Sequence, residues 1–215
     1  MKKQYFSVLS INFELVIPEG IVIDHKFQLL MTAYIPGLKF LKSKPGRIDL
    51  TVEYRQSRKR KIIDKKKKVI IFESWGSDLP LDFYHLLYSK LRVMFINKQF
   101  YPVHSACVGK ESYTLIIGHT KSGKTSVLLE LLSNDVKVFS GNKTLVSLNR
   151  KMMAVAGTPT ITAEEKNIDK RANAVDYSDR KAFSLDSKQY HDSPIEIKSI
   201  FLVRINGGFE EFKRI

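Results

Sequence analysis

The rhythm of hydrophobic and polar positions changes about halfway along the chain. From Phe6 to Ile17 apolar residues partly alternate with polar ones, the period-two pattern of a half-buried strand, and Pro18-Glu19-Gly20 then turns the chain. Ile21 to Ile23 and Phe27 to Tyr34 read as further strands, punctuated by Pro36-Gly37 and Pro45-Gly46. Ile48 to Tyr54 and Val69 to Glu73 read as the two arms of a long hairpin, and Gly76-Ser77-Asp78-Leu79-Pro80 closes this region. The spacing then lengthens. Phe83, Leu86, Leu87, Leu91, Met94 and Phe95 recur at three- and four-residue steps, which predicts an amphipathic helix with a core-facing stripe. Asp82 is its N-cap or an early acid favourable to the helix dipole.

Beyond Tyr101-Pro102 the pattern becomes α/β. Val103 to Val108 and Tyr113 to Ile117 predict two strands joined by a short turn, and Ser126 to Leu132 a helix stopped by Ser133-Asn134-Asp135. Val136 to Ser140, Thr144 to Leu148 and Met152 to Ala156 follow as strands. A polar, irregular stretch runs from Gly157 to about Pro194. Thr162-Ala163-Glu164-Glu165 within it resembles a capping box, so a short helix is expected to begin there. Ile197 to Ile205 is a last apolar strand. The expected organisation is a β-rich region over 1–79, a connecting helix over 80–100 and an α/β core over 101–215. The core lacks a terminal helix, as a C-terminally truncated one would.

Between the strand ending at Ile117 and the helix beginning near Ser126 stands Gly118-His119-Thr120-Lys121-Ser122-Gly123-Lys124-Thr125, which fits the phosphate-loop pattern G-x-x-x-x-G-K-[ST]. The octamer alone is a weak signal; strand before and helix after are the context it needs. Gly118 and Gly123 allow a tight turn in which successive N–H groups converge on phosphate oxygens. Lys124 is placed to reach β- and γ-phosphates and the Thr125 hydroxyl to sit on Mg²⁺. With Ser126 opening the helix, residues 118–126 are the candidate nucleotide-binding set, ATP with Mg²⁺ the expected ligand, and the helix N-terminus adds partial positive charge.

Composition adds less than it first promises. The 215 residues carry a formal net charge of +14, which suggests an anionic partner such as nucleic acid. Yet nine basic residues and one acid between Arg55 and Lys68 supply +8 of it. That run reads as the solvated tip of the predicted hairpin or as a docking patch for an acidic peptide, an anionic membrane or nucleic acid. No aromatic residue is interleaved to stack on bases. No apolar run approaches the length of a membrane span. The single cysteine, Cys107, excludes an intramolecular disulfide and makes cytoplasm the default expectation. There is no Cys/His cluster of zinc spacing and no G-x-S-x-G elbow.

Pro102 to Val108, Leu115 to Gly118, the loop with its helix, and Val138-Phe139-Ser140 together resemble the catalytic core of the HPr kinase/phosphorylase family and its shorter relatives in peptide-modification clusters. The similarity covers roughly Tyr101 to Leu148. It implies a mixed sheet with a β-hairpin before the loop, ATP-dependent transfer to a serine or other hydroxyl, and often a homo-oligomer. It also implies that His104 lies near the transferred phosphoryl group, with Lys124 and Thr125 at the phosphate and metal positions. At the end of the next strand the family carries two aspartates, one acting as base. Here those positions are Gly141-Asn142. An amide does not accept a proton usefully at neutral pH, although it can orient a hydroxyl or water.

The catalytic candidates are therefore His104, Asn142 and Lys124. Lys143 is a possible second cation for the γ-phosphate, and Glu164 or Glu165 a displaced base. His119 is expected to face solvent or the nucleotide edge. Three functions remain open: a phosphotransferase acting on a peptide, protein or small molecule; a non-catalytic ATP sensor or assembly subunit; and a nucleic-acid-associated nucleotidase.

Overall fold

A computed structural model describes all residues except 59–60, 66–68, 75–78, 133, 135, 165–173, 178–179, 207–208 and 215, with backbone alone for 61, 63–65, 177, 205–206 and 209–214. The architecture is mixed α/β, rich in strands, with three helices among the described residues. The chain opens with a hairpin, β1 (Lys2–Val8) and β2 (Ile11–Ile17), turning at Leu9, whose φ is 51°. It continues through α1 (His25–Tyr34), β3 (Lys39–Leu41), β4 (Leu50–Gln56), β5 (Lys61–Lys65) and β6 (Val69–Ser74). These strands form one sheet in the order β3-β1-β2-β4-β6-β5, covered by α1 and by α2 (Leu81–Asn97). Aromatic rings fill the layer between: Phe6 stacks on Phe13 at 4.9 Å, and Phe72 meets Phe83 edge-on at 5.8 Å.

Two sequence expectations are corrected here. Residues 27–34 are helix, not strand. Asp24 Oδ1 accepts from Phe27 N–H at 2.9 Å, and Phe27, Leu30, Met31 and Tyr34 bury one face at helical spacing. The segments flanking the basic run are not hairpin arms, since β4 and β6 lie parallel. The run itself contributes the edge strand β5, antiparallel to β6, where lysine-rich sequence discourages pairing with another chain. Much of the run, Lys66 to Lys68 included, lies outside the described residues.

The second half follows with β7 (Phe100–Val103), β8 (Ser105–Gly109), β9 (Tyr113–Ile117), α3 (Lys124–Leu132), β10 (Lys137–Ser140), β11 (Thr144–Ser147) and β12 (Met153–Gly157). The expected strand 103–108 is thus broken at His104, because β7 pairs with β11 while β8 pairs with β9 and β10. Next come β13 (Thr160–Ala163), β14 (Val175–Tyr177), β15 (Arg180–Ser184), β16 (Ile195–Asn206) and β17 (Phe209–Arg214). The large sheet runs β10-β8-β9-β16-β12-β11-β7, with β17 on β16, and β9 and β16 are parallel. Its strands β8 and β9 are buried on both faces. Ala106, Val108 and Ile116 meet α3, while Cys107 and Leu115 point the other way onto Phe139 and Val146. Burial pushes the Cys107 thiol up to about 12, so it packs as a hydrophobe.

The polar stretch after Gly157 holds a small sheet, β13-β15-β14, that its sequence did not announce. Thr162, the expected helix cap, is a strand residue opposite Ala182; Glu165 and the eight residues after it lie outside the described residues.

Candidate functional site

β9 delivers the chain into the loop, and α3 takes over at Lys124, two residues earlier than the sequence suggested. The loop uses left-handed backbone at Lys121 (φ 63°) and Gly123 (φ 95°). Gly118 has no room for a side chain, since a Cβ there would stand 2.4 Å from both Ser122 Oγ and the Val203 carbonyl of β16. Val127 N–H closes the first helical turn on the Gly123 carbonyl at 3.0 Å. Lys124 folds back over the loop and donates to the carbonyls of Gly118 (2.7 Å) and His119 (2.8 Å). Its proton affinity is lowered first by burial and then by the positive charge of Arg180. Ser122 is buried, and its hydroxyl has no hydrogen-bond partner among the described residues.

The loop opens onto a pocket of about 230 Å³. Thr120 to Ser126 line one side; His104, Asn142, Ala163, Glu164 and Arg180 line the rest. Gly118 and His119 lie outside that lining, and the exposed His119 meets the site only through its backbone carbonyl. His104 reaches the pocket from the break between β7 and β8, and Asn142 from the turn after β10. His104 Nε2 and Asn142 Oδ1 are 3.0 Å apart, so as placed Nε2–H donates to the amide oxygen and the second ring nitrogen keeps its lone pair. Burial, then Lys124 and Lys143, hold the imidazole below its usual proton affinity, leaving it neutral at pH 7. The turn is held hard: Ser105 N–H donates to the Asn142 carbonyl at 3.1 Å, and the Thr158 hydroxyl accepts from the N–H groups of Asn142 (3.0 Å) and Lys143 (3.1 Å).

No protein-family model and no curated protein matches this chain.

Most of the expected residues line one pocket; Lys143, besides Gly118 and His119, does not. Lys143 turns away from the pocket and donates to the Ala33 carbonyl at 3.1 Å, with its ammonium over the rings of Tyr34 (4.7 Å) and Tyr88 (5.1 Å). It acts on the site as a distant charge only. Gly141 is as tight as it is small. A Cβ there would lie 2.5 Å from the Thr160 carbonyl and 2.9 Å from Ile161 Cγ1, so as built this position has no space for a carboxylate. Glu164, one residue past β13, lines the pocket, the one carboxylate to do so among the described residues.

Arg180 is the residue that sequence reasoning missed. It sits beside Lys181 in a polar stretch and belongs to no motif, and the pairing of β15 with β13 brings it to the pocket. Among the described residues no group of three or more His, Cys, Asp or Glu could hold a metal ion. The donors present, the Thr125 hydroxyl and the Glu164 carboxylate, fit a Mg²⁺ carried in on phosphate oxygens rather than one held in a protein cage. No described helix is long and apolar enough to cross a membrane.

Proposed function

We propose that this chain is an ATP- and Mg²⁺-dependent phosphotransferase of the HPr-kinase type, transferring to a hydroxyl of a peptide, protein or small molecule. One observation carries the reading: the hydrogen-bonded His104–Asn142 pair lines the same pocket as loop residues Thr120 to Ser126. In this reading Lys124 exchanges the Gly118 and His119 carbonyls for phosphate oxygens, and the loop N–H groups with the Ser122 hydroxyl take the rest. Thr125 would hold the metal, which would supply charge neutralisation when bound. Neutral His104, its Nε2–H fixed on Asn142, accepts the acceptor hydroxyl's proton at its other nitrogen. The new oxygen–phosphorus bond forms as the β–γ bridging bond breaks, and ADP leaves with that electron pair.

Incubating the protein with ATP, Mg²⁺ and a hydroxyl-bearing peptide library, followed by mass spectrometry, tests this. A phosphorylated product is expected, absent with Lys124→Ala and reduced roughly a hundred- to ten-thousand-fold with His104→Ala. Tight ATP binding with no product from any acceptor would sink the kinase. It would favour the second reading, a nucleotide-responsive sensor, which the tight packing at Gly141 and the amide at Asn142 independently recommend.

A further inference from the structure

Arg180 enters the pocket from an element that has no part in the loop. In the β13–β15 ladder Ala163 faces Lys181, and one step further places Glu164 and Arg180 across from each other at the pocket wall. Three cationic side chains, Lys121, Lys124 and Arg180, therefore surround a space with Glu164 as its lining acid. Lys124 stands at the N-terminus of α3, and His104 lines the same pocket. Arg180 depresses the proton affinity of both, so its charge lies within reach of the phosphate end and the acceptor end alike. A polyanion spanning these two ends relieves the crowding of Lys124 and Arg180.

We propose that Arg180, which lines the same pocket as the loop, clamps the terminal phosphate of a bound nucleoside triphosphate, making the pocket selective for triphosphate over diphosphate. This rests on the nucleotide-binding part of the function proposed above and deepens it. The loop amides hold the inner phosphates, and Lys124 reaches the β-phosphate of either nucleotide and the γ-phosphate where one is present. A diphosphate ends at the loop, and the third phosphate projects towards His104 and Arg180. A guanidinium offers a planar fork that matches two phosphate oxygens at once, which an ammonium does not. The same contact would stabilise charge on the phosphoryl group in flight, as an arginine supplied in cis does in other phosphoryl-transfer sites.

Calorimetric titration of the full chain, in Mg²⁺, with ADP and with the non-hydrolysable AMP-PNP separates the possibilities. Arg180→Gln is expected to weaken AMP-PNP about tenfold or more and to leave ADP within about twofold; Arg180→Lys falls between. Lys124→Ala is expected to weaken both nucleotides. Equal loss for both nucleotides in Arg180→Gln, or no loss for either, overturns the clamp while leaving nucleotide binding intact. Failure of the wild-type chain to bind either nucleotide overturns the nucleotide reading itself and the clamp with it. If Arg180→Gln melts well below wild type by circular dichroism, Arg180→Lys carries the comparison: an AMP-PNP to ADP ratio unchanged from wild type overturns the clamp.

Discussion

Lys143 follows Asn142 by one residue, yet its charge is spent on the other half of the molecule. Burial pushes its ammonium down to about 8 from 10.5. Between those two values the unfolded chain binds more protons than the folded one, so this group makes folding stability rise as pH climbs from about 8 towards 10.5. Denaturant titrations across that interval should show the rise in wild type and lose it in Lys143→Met. The same variant removes one of the cations that depress His104. In the proposed reading His104 is the base and must be neutral to work, so activity should persist below the ordinary histidine range and fail only as pH drops through the depressed His104 value. In Lys143→Met the acid limb of the kcat profile should move to higher pH; an unmoved limb would show that Lys143 does not tune His104.

Elements were legible where one periodicity dominated. Helix α2 could be read because Phe83, Leu87, Leu91 and Phe95 keep a clean stripe, and the loop because its glycines and Lys124 have fixed positions in a pattern. Helix α1 was misread because Leu29, Leu30, Met31, Ala33 and Tyr34 are apolar on nearly every side, and such a run does not declare its period. The deciding signal was Asp24. Its cap on Phe27 N–H is worth about 1 kcal/mol, so Asp24→Ala should lower stability by that amount in urea titrations. The parallel pairing of β4 and β6 was not legible, since alternation along a strand is blind to its neighbour's direction. Arg180 was not legible for a related reason: the ladder that brings it to the pocket is non-local and it belongs to no motif, whereas Glu164 was already a candidate base.

At the scale of the whole molecule the pocket depends on the first hundred residues. The N-terminal core continues through Leu145 of β11 and Ala156 of β12. Around α1, the Thr32 and Thr160 hydroxyls meet at 3.2 Å, Ala33 receives Lys143, and Gly37 N–H donates to the Gly157 carbonyl at 2.8 Å. All three contacts hold strands or turns that frame the site. A fragment of residues 100–215 should therefore lose nucleotide binding together with cooperative thermal unfolding, and a fragment that binds AMP-PNP like the full chain would refute this dependence. For the full chain, Mg²⁺ and AMP-PNP at about a hundred times the dissociation constant should add about 2.7 kcal/mol of stability, read as a raised melting temperature.

The close packing at Gly141 imposes an order on any attempt to give this site two acids. Asn142→Asp swaps an amide for an acid of the same shape, beside an imidazole that would welcome the charge. Residue 141 offers no such entry, because even a methyl group meets the Thr160 carbonyl, a backbone atom with nowhere to rotate. Strand β13 must first be re-spaced at Thr160 before position 141 can carry a side chain. A library varying 141 alone should return glycine, and one varying 141 together with the Thr160–Ile161 corner is where a second carboxylate can emerge.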